Sequence, residues 1–175
     1  MRRADIVIRA AASGDAATVA DIGAQSFREA YAPHATPEDL ESHVHCHFTA
    51  DVVRAEIERA NSNYLLAVLD DAASGIAKYR VSPCPAPGGD AHALELQQLY
   101  ILASRQGVGL GQRLLAHLVE IARWEKARGI WLSAWEFADW ATRFYARNGF
   151  AAIGKVDFQL GKMTHTDLLM WMPLD

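Results

Sequence analysis

Apolar positions along the chain recur with two periods, and the alternation between them sketches the elements. Ile6-Val7-Ile8-Arg9 is a short β-branched run that predicts a strand. Ser13-Gly14-Asp15 supplies cap material, and from Ala16 to Tyr31 the positions Val19, Ile22, Phe27 and Ala30 fall at helical spacing. Pro33 ends that helix. Thr36 suits an N-cap with Pro37 at the first helical position, and Thr49 is a second cap before Val52, Val53, Ile57 and Ala60. Tyr64–Leu69 and Gly75–Val81 flank the turn-rich Asp70–Ser74, which predicts an antiparallel hairpin, and Pro83–Gly89 is a loop.

The second half repeats these periods. Ala93 to Leu102 alternates, but its parity slips by one between Leu96 and Leu99, which predicts a strand with a bulge. Leu110, Leu114, Leu118, Ile121 and Ala122 share one face of a long helix expected to end near Arg128, with Gly129 as its C-cap. Ile130–Trp135 is the next strand, Asp139–Asn148 a short helix stopped by Gly149, and Ala151–Leu160 and Asp167–Met172 are two further strands. The order predicts an α/β (α+β) fold: a mixed, mostly antiparallel central sheet flanked by helices on both faces, in one domain over residues 1–175.

Composition narrows the partners. The 175 residues are 51% apolar and 22% charged, with a formal charge of −4 and no block of like charges, so nucleic acid is not an expected partner. Cys46 and Cys84 stand in unrelated contexts and build no disulfide framework, which fits a reducing, cytoplasmic setting. Asp5 and Arg9 interrupt any apolar leader, and no run of 18 apolar residues occurs, so neither export nor membrane insertion is expected.

The most informative stretch lies between the bulged strand and the long helix: Gln106-Gly107-Val108-Gly109-Leu110-Gly111. Alternate glycines let the backbone approach a ligand closely, and free N–H groups at a helix start attract phosphate oxygens. Arg105 and Arg113 can add charge at either end. A Walker A loop needs Gly-Lys-Ser/Thr where Gly111-Gln112-Arg113 stands, and the dinucleotide fingerprint needs glycine at Gln112. The alternative is a tight strand-to-helix turn with no ligand.

With these residues the chain resembles the GNAT superfamily of acetyl-CoA-dependent N-acetyltransferases. Gln106, Gly109 and Gly111 match its Q/R-x-x-G-x-G/A motif, and Ala141, Phe144, Tyr145, Gly149 and Phe150 match A-x-x-F-Y-x-x-x-G-F. More narrowly, LELQQLYILASRQGVGLGQRLL, IWLSAWE, FQLG and HTDLLM are similar to PaiA-type acetyltransferases, a group associated with polyamine N-acetylation. Ala103, Val108 and Ala138 depart from the family, which often has Pro, a basic residue and Asn there.

The resemblance implies a cosubstrate, acetyl-CoA, and no metal. Its pyrophosphate would lie on Gln106, Gly107, Val108, Gly109, Leu110, Gly111 and Gln112, its pantetheine arm would bond the backbone of Leu99, Tyr100 and Ile101, and Ala138 and Tyr145 would complete the contacts. An alkyl amine with pKa about 10.4 is only about one part in 10³–10⁴ deprotonated at pH 7, so reaching the free amine costs about 4–5 kcal/mol. Glu95, on the strand leading into the turn, is the candidate base; the alternative is an exposed strand residue or a salt-bridge partner. Tyr145 is the candidate acid for the departing thiolate, with core packing as the ordinary alternative. No residue is marked as an acyl carrier, so the amine attacks directly in a ternary complex. Members of the family are often dimers, so a homodimer is expected.

Three features stay open. His43, His45 and His47 would share a face only in a strand, and the surrounding caps favour a helix, where His43 and His47 align. Trp124, Trp131, Trp135 and Trp140 allow an aromatic cage for a cation, although Trp124 and Trp131 are expected in the core. Carboxylates for a polyamine could come from Asp39, Glu41, Glu136, Asp139 or Asp157. Peptide amines and a non-catalytic acyl-CoA sensor are the competing functions.

Overall fold

The computed structural model describes residues 5–59, 62–86 and 89–174. Ala60, Pro87 and Gly88, assigned above to a helix and a loop, lie outside the described residues. The strands are β1 (Ile6–Ala10), β2 (Asn63–Leu69), β3 (Ala72–Val81), β4 (Leu94–Ile101), β5 (Gly129–Trp135), β6 (Ala151–Leu160) and β7 (Met163–Pro173). The helices are α1 (Ala16–Tyr31), α2 (Pro37–His47), α3 (Ala50–Ile57), α4 (Leu110–Trp124) and α5 (Asp139–Arg147). Seven strands join in the order β1-β2-β3-β4-β5-β7-β6. The pairs β1–β2, β2–β3, β5–β7 and β6–β7 are antiparallel, and β4–β5 is parallel because a whole helix, α4, intervenes between them. The expected mixed, mostly antiparallel sheet is what forms.

The chain divides into two compact units, residues 1–79 with 98–118 and residues 80–97 with 119–175. In the first, Val19, Ala20 and Ile22 of α1 pack with Val53, Tyr64, Leu66 and Ile76 into a dry cluster. Thr36 and Thr49 cap α2 and α3, accepting from the backbone N–H of Asp39 and Val52. The Glu56 carboxylate accepts from both the Tyr64 hydroxyl and the Lys78 ammonium, tying α3 to the hairpin. That hairpin is tighter than expected. Only Asp70 and Asp71 make the turn, with φ of 48° and 64°, and Ala72–Ser74 join β3. Two consecutive left-handed residues give the turn whose twist matches the flanking strands, and Asp tolerates that region better than most side chains.

In the second unit, β5, β7 and β6 pair along nearly their whole lengths. β7 starts at Met163 rather than Asp167, because Gly161, at φ 58°, lets Leu160 face Met163 across a two-residue turn. α4 also departs from expectation. It ends at Trp124, and Lys126 takes the left-handed position, with Ala127 N–H closing on Ala122 O at 2.9 Å. Gly129 is no cap. It opens β5, and a Cβ there would stand 2.3 Å from the Trp171 ring, so this glycine serves close packing.

Candidate active site

In the first unit the candidate residues present backbone. β4 runs through Leu99, Tyr100 and Ile101 into a 3-10 turn at Ala103–Arg105, and Gln106 Nε2 donates to Ile101 O at 3.1 Å, fastening the turn to the strand end. Gly107 and Gly109 take φ of 81° and 89°, and nothing lies within 4 Å of where their Cβ atoms would be. Leu110 is buried and anchors the start of α4, whereas Gly107, Val108, Gly109 and Gln112 are exposed. The helical ladder opens with Arg113 N–H on Gly109 O, so the N–H groups of Leu110, Gly111 and Gln112 lie in the first turn without an intrahelical acceptor. This is exposed backbone at a helix N-terminus, where unpaired N–H groups and the helix dipole favour phosphate oxygens.

In the second unit the candidates are side chains. Glu95 Oε2 accepts from Arg80 Nε at 2.5 Å, and its side chain is largely buried at 13% exposure. The salt-bridge alternative for Glu95 is thus realised, with its second oxygen unengaged among the described residues. Ala138 is the N-cap of α5, buried, with its carbonyl accepting from Ala141 and Thr142 N–H. Tyr145 is half-buried between Phe144 and Phe150, at ring centroid distances of 5.3 and 5.5 Å. Burial pushes its phenol above the ordinary range, so it stays protonated at neutral pH, the state a proton donor needs. Among the described residues no group hydrogen-bonds its hydroxyl.

The other candidates resolve differently. α2 is a helix, so His43 stacks on Phe27 at 4.2 Å and meets His47 at 4.3 Å, while His45 is exposed. Among the described residues no group of three His, Cys, Asp or Glu is placed to hold a metal ion. Trp131 is in the core as expected, its Nε1 donating to Ser82 O, but Trp124 is 80% exposed because α4 turns its Leu110–Leu114–Leu118 stripe inward and Trp124 away from it. Trp135 is buried and Trp140 exposed. Glu41 pairs with Arg28, Glu136 pairs with Lys155, and Asp39 accepts from Thr36 Oγ1, while Asp139 and Asp157 are exposed. Asp167 was missed by these candidates. It is buried at 5% exposure, and burial, the leading cause, raises its carboxyl above the usual range against the Ser133 hydrogen bond. Its signal was available: Asp167 shares the strand parity of Leu169 and Trp171, an inward position for a charge.

The Acetyltransferase (GNAT) family profile matches residues 24–150, which hold the glycine turn, Glu95 and Tyr145. The chain belongs to the GNAT acetyltransferase family. As a GNAT protein it is an acetyltransferase. It is 28% identical over 150 residues to an uncharacterized N-acetyltransferase of Lactobacillus delbrueckii subsp. lactis, covering 85% of this chain and 86% of that one. An uncharacterized N-acetyltransferase of Mycobacterium tuberculosis H37Rv is also 28% identical, over 89% of this chain and 96% of the relative. Among solved structures, the PaiA N-acetyltransferase of Thermoplasma acidophilum in complex with coenzyme A shares this GNAT fold with a TM-score of 0.80 at 21% identity, over 97% of this chain and 99% of that one.

Proposed function

We propose that this GNAT protein transfers acetyl from acetyl-CoA to the primary amine of a small molecule, with a polyamine such as spermidine or spermine as the first candidate, by direct attack in a ternary complex. The observation that carries the reading is the turn at 106–112, whose two left-handed glycines leave open backbone in front of the first turn of α4. The crystallised PaiA relative holds coenzyme A, which agrees with a cosubstrate of this chemistry.

The roles divide by chemical type. N–H groups of the turn bind pyrophosphate oxygens, and the backbone of Leu99, Tyr100 and Ile101 bonds the amide-rich arm as an added strand would. Acetyl-CoA supplies an activated thioester. Glu95 takes the proton from the acceptor ammonium, directly or through water, with its oxygen not held by Arg80. The freed amine nitrogen bonds the thioester carbon, the carbon–sulfur bond breaks, Tyr145 gives its proton to the leaving sulfur, and the acylated nitrogen releases its remaining extra proton, which restores the phenol and leaves a neutral amide. Ala138 contributes backbone at the start of α5, about two helical turns before Tyr145. Cys84 is buried, Cys46 is exposed, and neither stands in an activating motif, so neither is assigned an acyl intermediate.

The test is thiol release from acetyl-CoA across polyamines, monoamines, amino acids and peptides, with products identified by mass and Tyr145→Phe run beside the wild type. Saturable acetylation of spermidine or spermine, with kcat about 10–100-fold lower in the variant, is expected. A preference for peptide amines replaces the acceptor. Cofactor binding with no turnover on any amine favours the sensor.

A further inference from the structure

Strand register sorts the side chains of the second unit onto two faces. Glu95 faces Trp131, Trp131 faces Trp171, Ser133 faces Leu169, and Trp135 faces Asp167. Directly opposed residues project to the same side of a sheet, so Glu95, Ser133 and Asp167 share one face. Leu168, Met170 and Met172 have the other parity. Gly149, just beyond α5, lies against Met172, so the helix carrying Tyr145 ends over that second face. Asp167 has the opposite parity and projects to the face that carries Glu95.

On its own face Asp167 is anomalous. It is 95% removed from solvent, its Oδ1 has no hydrogen-bond partner among the described residues, and no Lys or Arg pairs with it there. Ser133 and His165 both favour the charged carboxylate, and His165, two residues earlier on the same parity, holds a buried Nε2 that is also without a partner. Buried carboxylates are costly unless paired, and the ammonium or guanidinium that would complete this one is not supplied by the described residues. Glu136 adds a second negative charge nearby. Glu95 cannot substitute, because its register lies four residues away along β5, about 13 Å at the usual strand rise, and Arg80 already holds it.

We infer that Asp167, with Ser133 and His165 Nε2, forms a subsite that receives an ammonium group of the acceptor amine. An alkylammonium offers three donors, enough for Asp167 Oδ1 and for His165 Nε2 in the tautomer with its proton on Nδ1. The subsite selects cationic amines over neutral or anionic acceptors. It rests on the amine-acetylation reading and adds to it the side chain that recognises charge.

The test uses the full chain with coenzyme A present and spermidine as probe, in wild type and Asp167→Asn, by titration calorimetry, steady-state kinetics and melting temperature. Asp167→Asn keeps shape and removes the charge. Expected are at least about tenfold weaker spermidine binding, a matching rise in KM with kcat within about threefold, and a melting temperature equal to or above wild type, since a buried charge is gone. A purely structural Asp167 would instead lower the melting temperature and leave affinity unmoved. Unchanged affinity in the variant, or no spermidine uptake by the wild type, overturns the subsite. If other amines are still acetylated, the transferase reading survives that failure. Weakened binding in the variant without any turnover would retain the subsite and remove the transferase reading.

Discussion

The two units differ in the material that their candidate residues present. The first offers backbone: a strand end, two left-handed glycines and the opening turn of α4. The second offers side chains: the Tyr145 phenol, the Glu95–Arg80 pair and the buried Asp167 carboxylate. A backbone site is indifferent to side-chain identity but intolerant of any Cβ that forbids a positive φ, whereas a side-chain site depends on single functional groups. The contrast is a statement about which substitutions matter where.

The largest effect should come from the backbone side. Gly109→Val places a β-branched residue at φ 89°, where the added carbon meets no neighbour but the dihedral is hostile. We expect about 100-fold weaker acetyl-CoA binding by calorimetry while the melting temperature falls by only a few degrees, a strain of about 1–3 kcal/mol. Full affinity in this variant would show that binding does not need the left-handed backbone at Gly109.

Acid titration sharpens it next, because the units respond with opposite sign. Burial, aided by His47, lowers the His43 pKa to about 4 from an ordinary 6.5. Between those values the unfolded chain binds the extra proton, so stability present above pH 6.5 is lost as pH falls toward 4. Asp167 behaves inversely: its raised carboxyl favours the folded state at low pH, and that contribution fades as pH rises through the folded value. His43→Gln should remove about 1–2 kcal/mol of pH dependence between 6.5 and 4, read from urea unfolding followed by hydrogen exchange in the first unit.

A smaller effect belongs to Asp15, held down to about 2 chiefly by its hydrogen bonds from Arg9 and then by the Ala12 N–H. Its stabilisation is present above pH 4 and lost as pH falls toward 2. Since Arg9 is 46% exposed, Asp15→Asn should cost only about 0.5–1 kcal/mol at pH 7, with the difference closing near pH 2. Smallest of all should be Gln112→Ala, whose exposed side chain the backbone site does not use: KM for acetyl-CoA within about twofold. A tenfold rise would show that side chains carry the first unit's binding after all.

Much of this was legible from residue order. Cap chemistry at Thr36 and Thr49 and the period of Leu110, Leu114 and Leu118 announced their helices, and the glycine turn appeared where strand gave way to helix. What escaped depended on partners far along the chain. Gly129 looked like a cap because glycine suits both a left-handed residue and a tight contact, and only Trp171 decides between them. Glu95 bore the right charge on the right strand, yet its engagement by Arg80 is a tertiary fact. Asp167 was readable from parity, but a lone acid in an apolar strand gains meaning only once its missing partner is known.

All five tryptophans, Trp124, Trp131, Trp135, Trp140 and Trp171, belong to the second unit. Tryptophan emission therefore originates in one half of the molecule, while the other carries Tyr31, Tyr64, Tyr79 and Tyr100 as its fluorophores. Trp124 and Trp140 are open to an aqueous quencher and Trp131 and Trp135 are shielded, so iodide should divide the tryptophan emission into two populations, both from the second unit.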